Sequence, residues 1–77
     1  MAQTSLTRTE RFILNEIESV PNEIVSSNLV RLAAQMTEAD YARVMGRLTK
    51  RGLATRVEVD EESMVEITWG GKRALLA

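Results

Sequence analysis

The residues best suited to chemistry lie in two adjoining blocks of opposite sign. Arg43, Arg47, Lys50, Arg51 and Arg56 supply five cations, and no acid falls between Tyr41 and Val57. Glu58, Asp60, Glu61, Glu62 and Glu66 then supply five acids within nine residues, with no base among them. The first block is chemistry for phosphate. Guanidinium and ammonium groups neutralise a nucleic-acid backbone, and one Arg can read a guanine edge through two hydrogen bonds. The second block repels phosphate and suits a basic protein surface. The contiguous acids Asp60-Glu61-Glu62 lack the ligand spacing of a calcium loop, so no metal site is expected.

Other chemistry is narrowly bounded. The chain has no Cys and no His, which removes disulfides, thiolate catalysis, the usual zinc ligands and the usual general base. Gly70-Gly71 lacks the rest of a nucleotide loop. Neither catalytic residues nor a cofactor are expected, and the chain reads as no enzyme. Its 77 residues make a single domain, 1–77, with residues 1–5 expected to be disordered. No apolar run approaches the roughly 20 residues of a membrane span. The N-terminus MAQTSLTRTE has no signal core, so a cytoplasmic protein is expected. The pI near 5.4 weighs against nucleic acid, although local charge can overrule the total.

The elements that must position these charges are legible as periods and stops. Thr7-Arg8-Thr9-Glu10 fits a capping box, followed by Ile13, Ile17 and Val20 at helical spacing and flanked by Phe12 and Leu14. Pro21 ends this helix near Val20. Ile24-Val25 is a strand stub. Ser26 or Ser27 caps a second helix whose buried side is read as Leu29, Leu32, Ala33 and Met36. Thr37 caps a third, with Glu38 and Asp40 at its positive end. Tyr41, Val44, Met45 and Leu48 form its core face, and Gly52 closes it in a Schellman ending with Leu53 folding back toward Leu48.

Beyond Gly52 the period becomes two. Leu53, Thr55, Val57 and Val59 read as one strand face, opposite Arg56 and Glu58. Asp60 to Ser63 is the turn. Val65, Ile67 and Trp69 alternate along the return strand, with Trp69 read as a lid on the core. Gly70-Gly71 breaks it, and residues 72–77 add a last helical turn. The fold class is α+β: a winged helix-turn-helix of three helices, a short strand stub and a two-stranded antiparallel wing.

Particular residues sharpen this. LVRLAAQM, Thr37-Glu38-Ala39-Asp40, MGRLTKRGLATR and Thr68-Trp69-Gly70-Gly71-Lys72-Arg73 resemble the second helix, turn, recognition helix, wing entry and wing exit of MarR-like and related small bacterial transcription regulators. The resemblance spans about residues 6–76. It implies double-stranded DNA as partner, with the third helix in the major groove, Arg43 and Arg47 on its outer face, and Ser26, Ser27, Asn28 and Arg31 on the backbone. Lys50, Arg51 and Arg56 flank that helix. The sequence departs from the family pattern in an outer face holding Ala39, Asp40 and Ala42, and in an acidic wing tip.

Two functions therefore stand side by side. One is a DNA-binding transcription regulator of modest, salt-dependent affinity. The other is a protein-interaction winged helix without DNA binding, such as a phage or mobile-element inhibitor of antirepressor or anti-CRISPR type. It would meet a protein complex through its acidic wing, Asp60, Glu61 and Glu62, and its basic helix, with the small-residue strip Ala39, Ala42 and Gly46 as a contact site. Each feature also has a purely structural reading: a solvated cationic helix face, an edge-protecting acidic hairpin, and a strip packed on helix 2. The protein is expected to be a monomer, or a weak homodimer through Phe12 or Leu14 if either stays exposed.

Overall fold

The computed structural model describes residues 5–77, so residues 1–4 of the segment expected to be disordered lie outside the described residues. Its elements are α1 (Arg8–Glu18), a 3-10 turn (Pro21–Glu23), β1 (Ile24–Ser26), α2 (Ser27–Ala33), α3 (Glu38–Lys50), β2 (Ala54–Val59), β3 (Glu62–Ile67) and α4 (Trp69–Leu76). The strand order is β1-β3-β2, antiparallel throughout. The stub β1 thus joins the hairpin as a third strand. This is the winged helix-turn-helix, with one helix more than the three read from sequence.

Local chemistry explains the helix ends. The Thr7 hydroxyl accepts from the Glu10 N–H at 3.1 Å, and Glu10 Oε1 accepts from the Thr7 N–H at 2.9 Å, completing the capping box. The α1 helix ends at Glu18, two residues before Val20, with Ser19 as its cap. Thr37 caps α3 by accepting from the Asp40 N–H at 3.1 Å. At the far end, Leu53 N–H reaches the Leu48 carbonyl at 2.9 Å and Gly52 N–H reaches Thr49 at 3.0 Å. With Gly52 at φ +76°, this is a Schellman motif. The α2–α3 turn repeats the device without glycine. Met36 N–H bonds the Arg31 carbonyl at 3.2 Å, Gln35 N–H bonds Leu32 at 3.0 Å, and Gln35 takes φ +57°.

The core joins Ile13, Leu14 and Ile17 of α1 to Tyr41, Val44, Met45 and Leu48 of α3, and closes with Val30, Leu53, Ala54, Val65 and Ile67. Four sequence readings are corrected here. In α2 the buried residue is Val30, while Leu29 and Leu32 are about three-fifths exposed and Ala33 is exposed. A helix of seven residues buries a narrow stripe, and apolar content does not say which stripe. In β2 the inward face is the one carrying Ala54, which pairs with Ile67; Arg56, opposite Val65, shares it. Thr55, Val57 and Val59 lie on the outer face, because Leu53 belongs to the helix-ending turn and the strand starts one residue later.

The turn is two residues, Asp60 and Glu61, both at positive φ, which is a type I′ hairpin; Glu62 and Ser63 are already in β3. Finally, β3 ends at Ile67. Trp69 is the first residue of α4 and is 77% exposed, not a core lid.

Gly70 and Gly71 lie within α4 and serve its docking. The Thr68 hydroxyl accepts from the Gly71 N–H at 3.0 Å and donates to the Gly52 carbonyl at 2.6 Å. Thr68 N–H bonds the Leu53 carbonyl at 3.2 Å. A Cβ on Gly71 would collide with that same Leu53 oxygen. Gly71→Ala is therefore expected to cost about 3 kcal/mol or to prevent folding, as overpacking against rigid backbone does. Gln35→Gly removes a left-handed penalty and should raise stability by about 0.5–1 kcal/mol. Thermal melts by circular dichroism check both, with about 4–8 °C of Tm for each kcal/mol in a domain this small.

Candidate nucleic-acid interface

The helix-turn-helix consists of α2, the turn at residues 34–37, and α3. Ser27 ties the two helices together, its hydroxyl donating to the Tyr41 hydroxyl at 3.0 Å. Burial pushes the Tyr41 phenol above its ordinary value, and the Ser27 bond and the charges of Arg56 and Arg31 offset part of that rise. Arg31 donates to the Met36 carbonyl at 3.2 Å and so braces the turn. Ser26 occupies the N-cap position of α2, but its hydroxyl makes no capping bond, and Asn28 is exposed beside it.

The outward face of α3 carries two adjacent rows. Ala39, Ala42 and Gly46 form one, and Arg43, Arg47 and Lys50 the other; all six are exposed. A Cβ on Gly46 would meet nothing within 4 Å, so the small-residue strip is open and not packed on α2. Arg43 pairs with Asp40 one turn earlier at 2.7 Å, and both side chains are at least half exposed. Such an i, i+3 pair is worth only a few tenths of a kcal/mol and yields readily to a better partner. Lys50 makes no ion pair among the described residues.

The other two cations of the helix are held from behind. Glu10, whose side chain is 2% exposed, accepts from Arg47 Nε at 3.3 Å and from Arg51 Nη1 at 3.4 Å, besides the Thr7 N–H. Sequence reading found the cap and missed this triad. A signal was present: Glu10 is the one acid on the buried side of α1, three residues before Ile13, and a buried carboxylate requires partners. Arg56 extends along the inner face of the wing, opposite Val65 in register. Asp60, Glu61 and Glu62 are exposed at the wing tip, so the two signs occupy separate projections of the fold.

Burial is the strongest single influence on Glu10 and pushes its carboxyl up. The Thr7 N–H, the Arg47 hydrogen bond and the charges of Arg51 and Arg47 together outweigh it and leave the group below its ordinary value of 4.5. A carboxyl lowered in the folded state stabilises fully above its unfolded pKa and loses that contribution as pH falls through the folded one. Melts between about pH 6 and pH 3 should therefore show an acid loss of stability that is flatter in Glu10→Gln. Glu10→Ala at neutral pH should cost about 2 kcal/mol, from the lost cap and the loss of its hydrogen bonds to Arg47 and Arg51.

No family model and no curated protein matches the sequence. Solved structures do match the fold. The PcaV transcriptional regulator of Streptomyces coelicolor, in complex with its natural ligand, is similar at TM-score 0.83 and 23% identity over 94% of this chain and 52% of that one. MepR of S. aureus, in a complex with DNA, is similar at TM-score 0.83 and 15% identity, covering 92% of this chain and 60% of that one. A MarR family transcriptional regulator from Silicibacter pomeroyi is similar at TM-score 0.79 and 18% identity, covering 90% and 46%. The chain spans about half the length of these neighbours. Its fold is a winged helix that resembles MarR-family transcriptional regulators.

Proposed function

We propose that the chain is a small winged-helix DNA-binding protein acting in transcription regulation, with α3 presented to the major groove. The observation that carries this reading is the outer face of α3. Its low strip of Ala39, Ala42 and Gly46 permits close approach to base edges, and alanine methyls suit thymine methyls. Arg43 and Lys50 border the strip as cations that can turn to phosphate, and Arg43 can alternatively reach a guanine. Ser26, Asn28 and the N-terminal N–H groups around Ser27 suit a phosphate at the start of α2. Arg31, Arg47 and Arg51 add positive potential while holding the fold, and exposed Arg56 adds it from the wing. The likeness of fold to MepR, a protein solved with DNA, supports DNA as the partner.

The acidic wing tip opposes this reading and limits affinity. Glu61 and Asp60 lie where a cation would favour the duplex, so net attraction rests on the helix alone. Anisotropy of a labelled random-sequence duplex should show modest binding at low salt that falls steeply toward physiological salt. Arg43→Gln with Lys50→Gln should weaken binding and flatten the log–log salt slope by about 0.9 for each phosphate that is no longer neutralised. Asp60→Asn with Glu61→Gln and Glu62→Gln should tighten it. Absence of binding at low salt would overturn the assignment.

A further inference from the structure

The wing ends in a strand edge that carries charges of both signs. β2 is an outer strand of the sheet, and Thr55, Arg56, Glu58 and Val59 along it are exposed. A two-residue turn closes on Val59 and Glu62 as a hydrogen-bonded pair. Bonding alternates along an antiparallel ladder, so Val57 and Thr55 also direct their N–H and C=O groups at β3. Ala54, Arg56 and Glu58 therefore present theirs to the free edge.

We infer that β2 docks antiparallel on the β2 strand of a second copy of this chain, about a two-fold axis at Val57. In that register Arg56 of each copy faces Glu58 of the other. These are the residues whose backbone groups point outward, so each Arg–Glu pair is also a hydrogen-bonded pair of the new ladder. Val57 meets Val57, and Thr55 meets Val59, a residue 44% exposed in the single chain. The same register places Asp60 of one copy opposite Ala54 of the other, and Glu61 opposite Leu53. The acidic turn thus lies next to the C-terminal end of α3 and Lys50. Opposite charges meet at both symmetric Arg56–Glu58 steps, and a second copy is the partner whose complementarity is written in the strand itself. The pairing joins two three-stranded sheets into one of six and covers the exposed strand edge. It does not depend on the DNA-binding reading.

The test is sedimentation over a wide concentration range, with amide hydrogen exchange followed by NMR. The wild type should dimerise, more weakly as salt rises. Amides of Arg56 and Glu58 should gain protection with concentration, while that of Val57, already bonded to β3, should not. Arg56→Glu or Glu58→Arg turns both symmetric charge pairs repulsive and should raise the dimer Kd by about tenfold. The double exchange Arg56→Glu/Glu58→Arg should restore it. A wild type that stays monomeric, a single reversal without effect, or a double exchange that fails to recover would overturn the inference. So would self-association that leaves the Arg56 and Glu58 amides unprotected, as contact through Phe12, Leu29 and Leu32 would. Should a variant fail to fold, the wild-type exchange pattern still decides.

Discussion

The carboxylate of Glu10 is the constraint on which the rest of the arrangement depends. It sits 2% exposed in the first turn of α1 and accepts from the Thr7 N–H, Arg47 and Arg51. One group therefore starts the first helix and fastens it to the last two turns of the third. Burying a lone carboxylate is costly, so the site is stable only with its partners in place. Once they are, the angle of α3 against α1 is set by a charged clasp in addition to the Ile13, Leu14, Ile17, Met45 and Leu48 packing. The same clasp sorts the cations of α3. Arg47 and Arg51 serve the fold first, and Arg43 and Lys50 face solvent.

A second junction sets the wing. Gly52 turns the chain out of α3, and Leu53 gives its carbonyl to Thr68 as β3 ends. Thr68 caps α4 while donating back to Gly52, and Gly71 lets α4 lie directly on the Leu53 backbone. Arg11 completes the docking by donating to the Leu75 carbonyl at 3.0 Å. Helix α3, both wing strands and α4 thus converge on the few residues between Leu48 and Ala54. The acidic tip is carried away from the basic helix by the length of a six-residue strand, which keeps opposite charges on different projections of one small domain.

Most of the architecture was legible because it rests on local rules. Thr7 and Thr37 announce helix starts, Gly52 announces a left-handed stop, and the Tyr41, Val44, Met45, Leu48 spacing announces a core face. What escaped depends on tertiary contact. Leu29 and Leu32 look like core residues, yet Val30 is the one the sheet covers. The β2 faces were inverted because Leu53, apolar and adjacent, belongs to the preceding turn. Trp69 continues an alternation that Thr68 has already ended. Glu10 was legible as a cap, but its two arginine partners lie 37 and 41 positions away and no local pattern joins them. At the candidate interface the cationic row and the small-residue strip were both visible in sequence. Their openness to solvent and the prior engagement of Arg47 and Arg51 were not.

The central claim is that the outer face of α3 meets a duplex while the acidic wing stays clear of it. The most direct measurement is an NMR titration of the labelled protein with a short duplex at low salt, following backbone amides. The account predicts shifts concentrated at Ala39, Ala42, Arg43, Gly46 and the start of α2, with the Asp60–Glu62 turn little changed. Shifts centred on the wing or on α4, or no shifts at low salt, would contradict it.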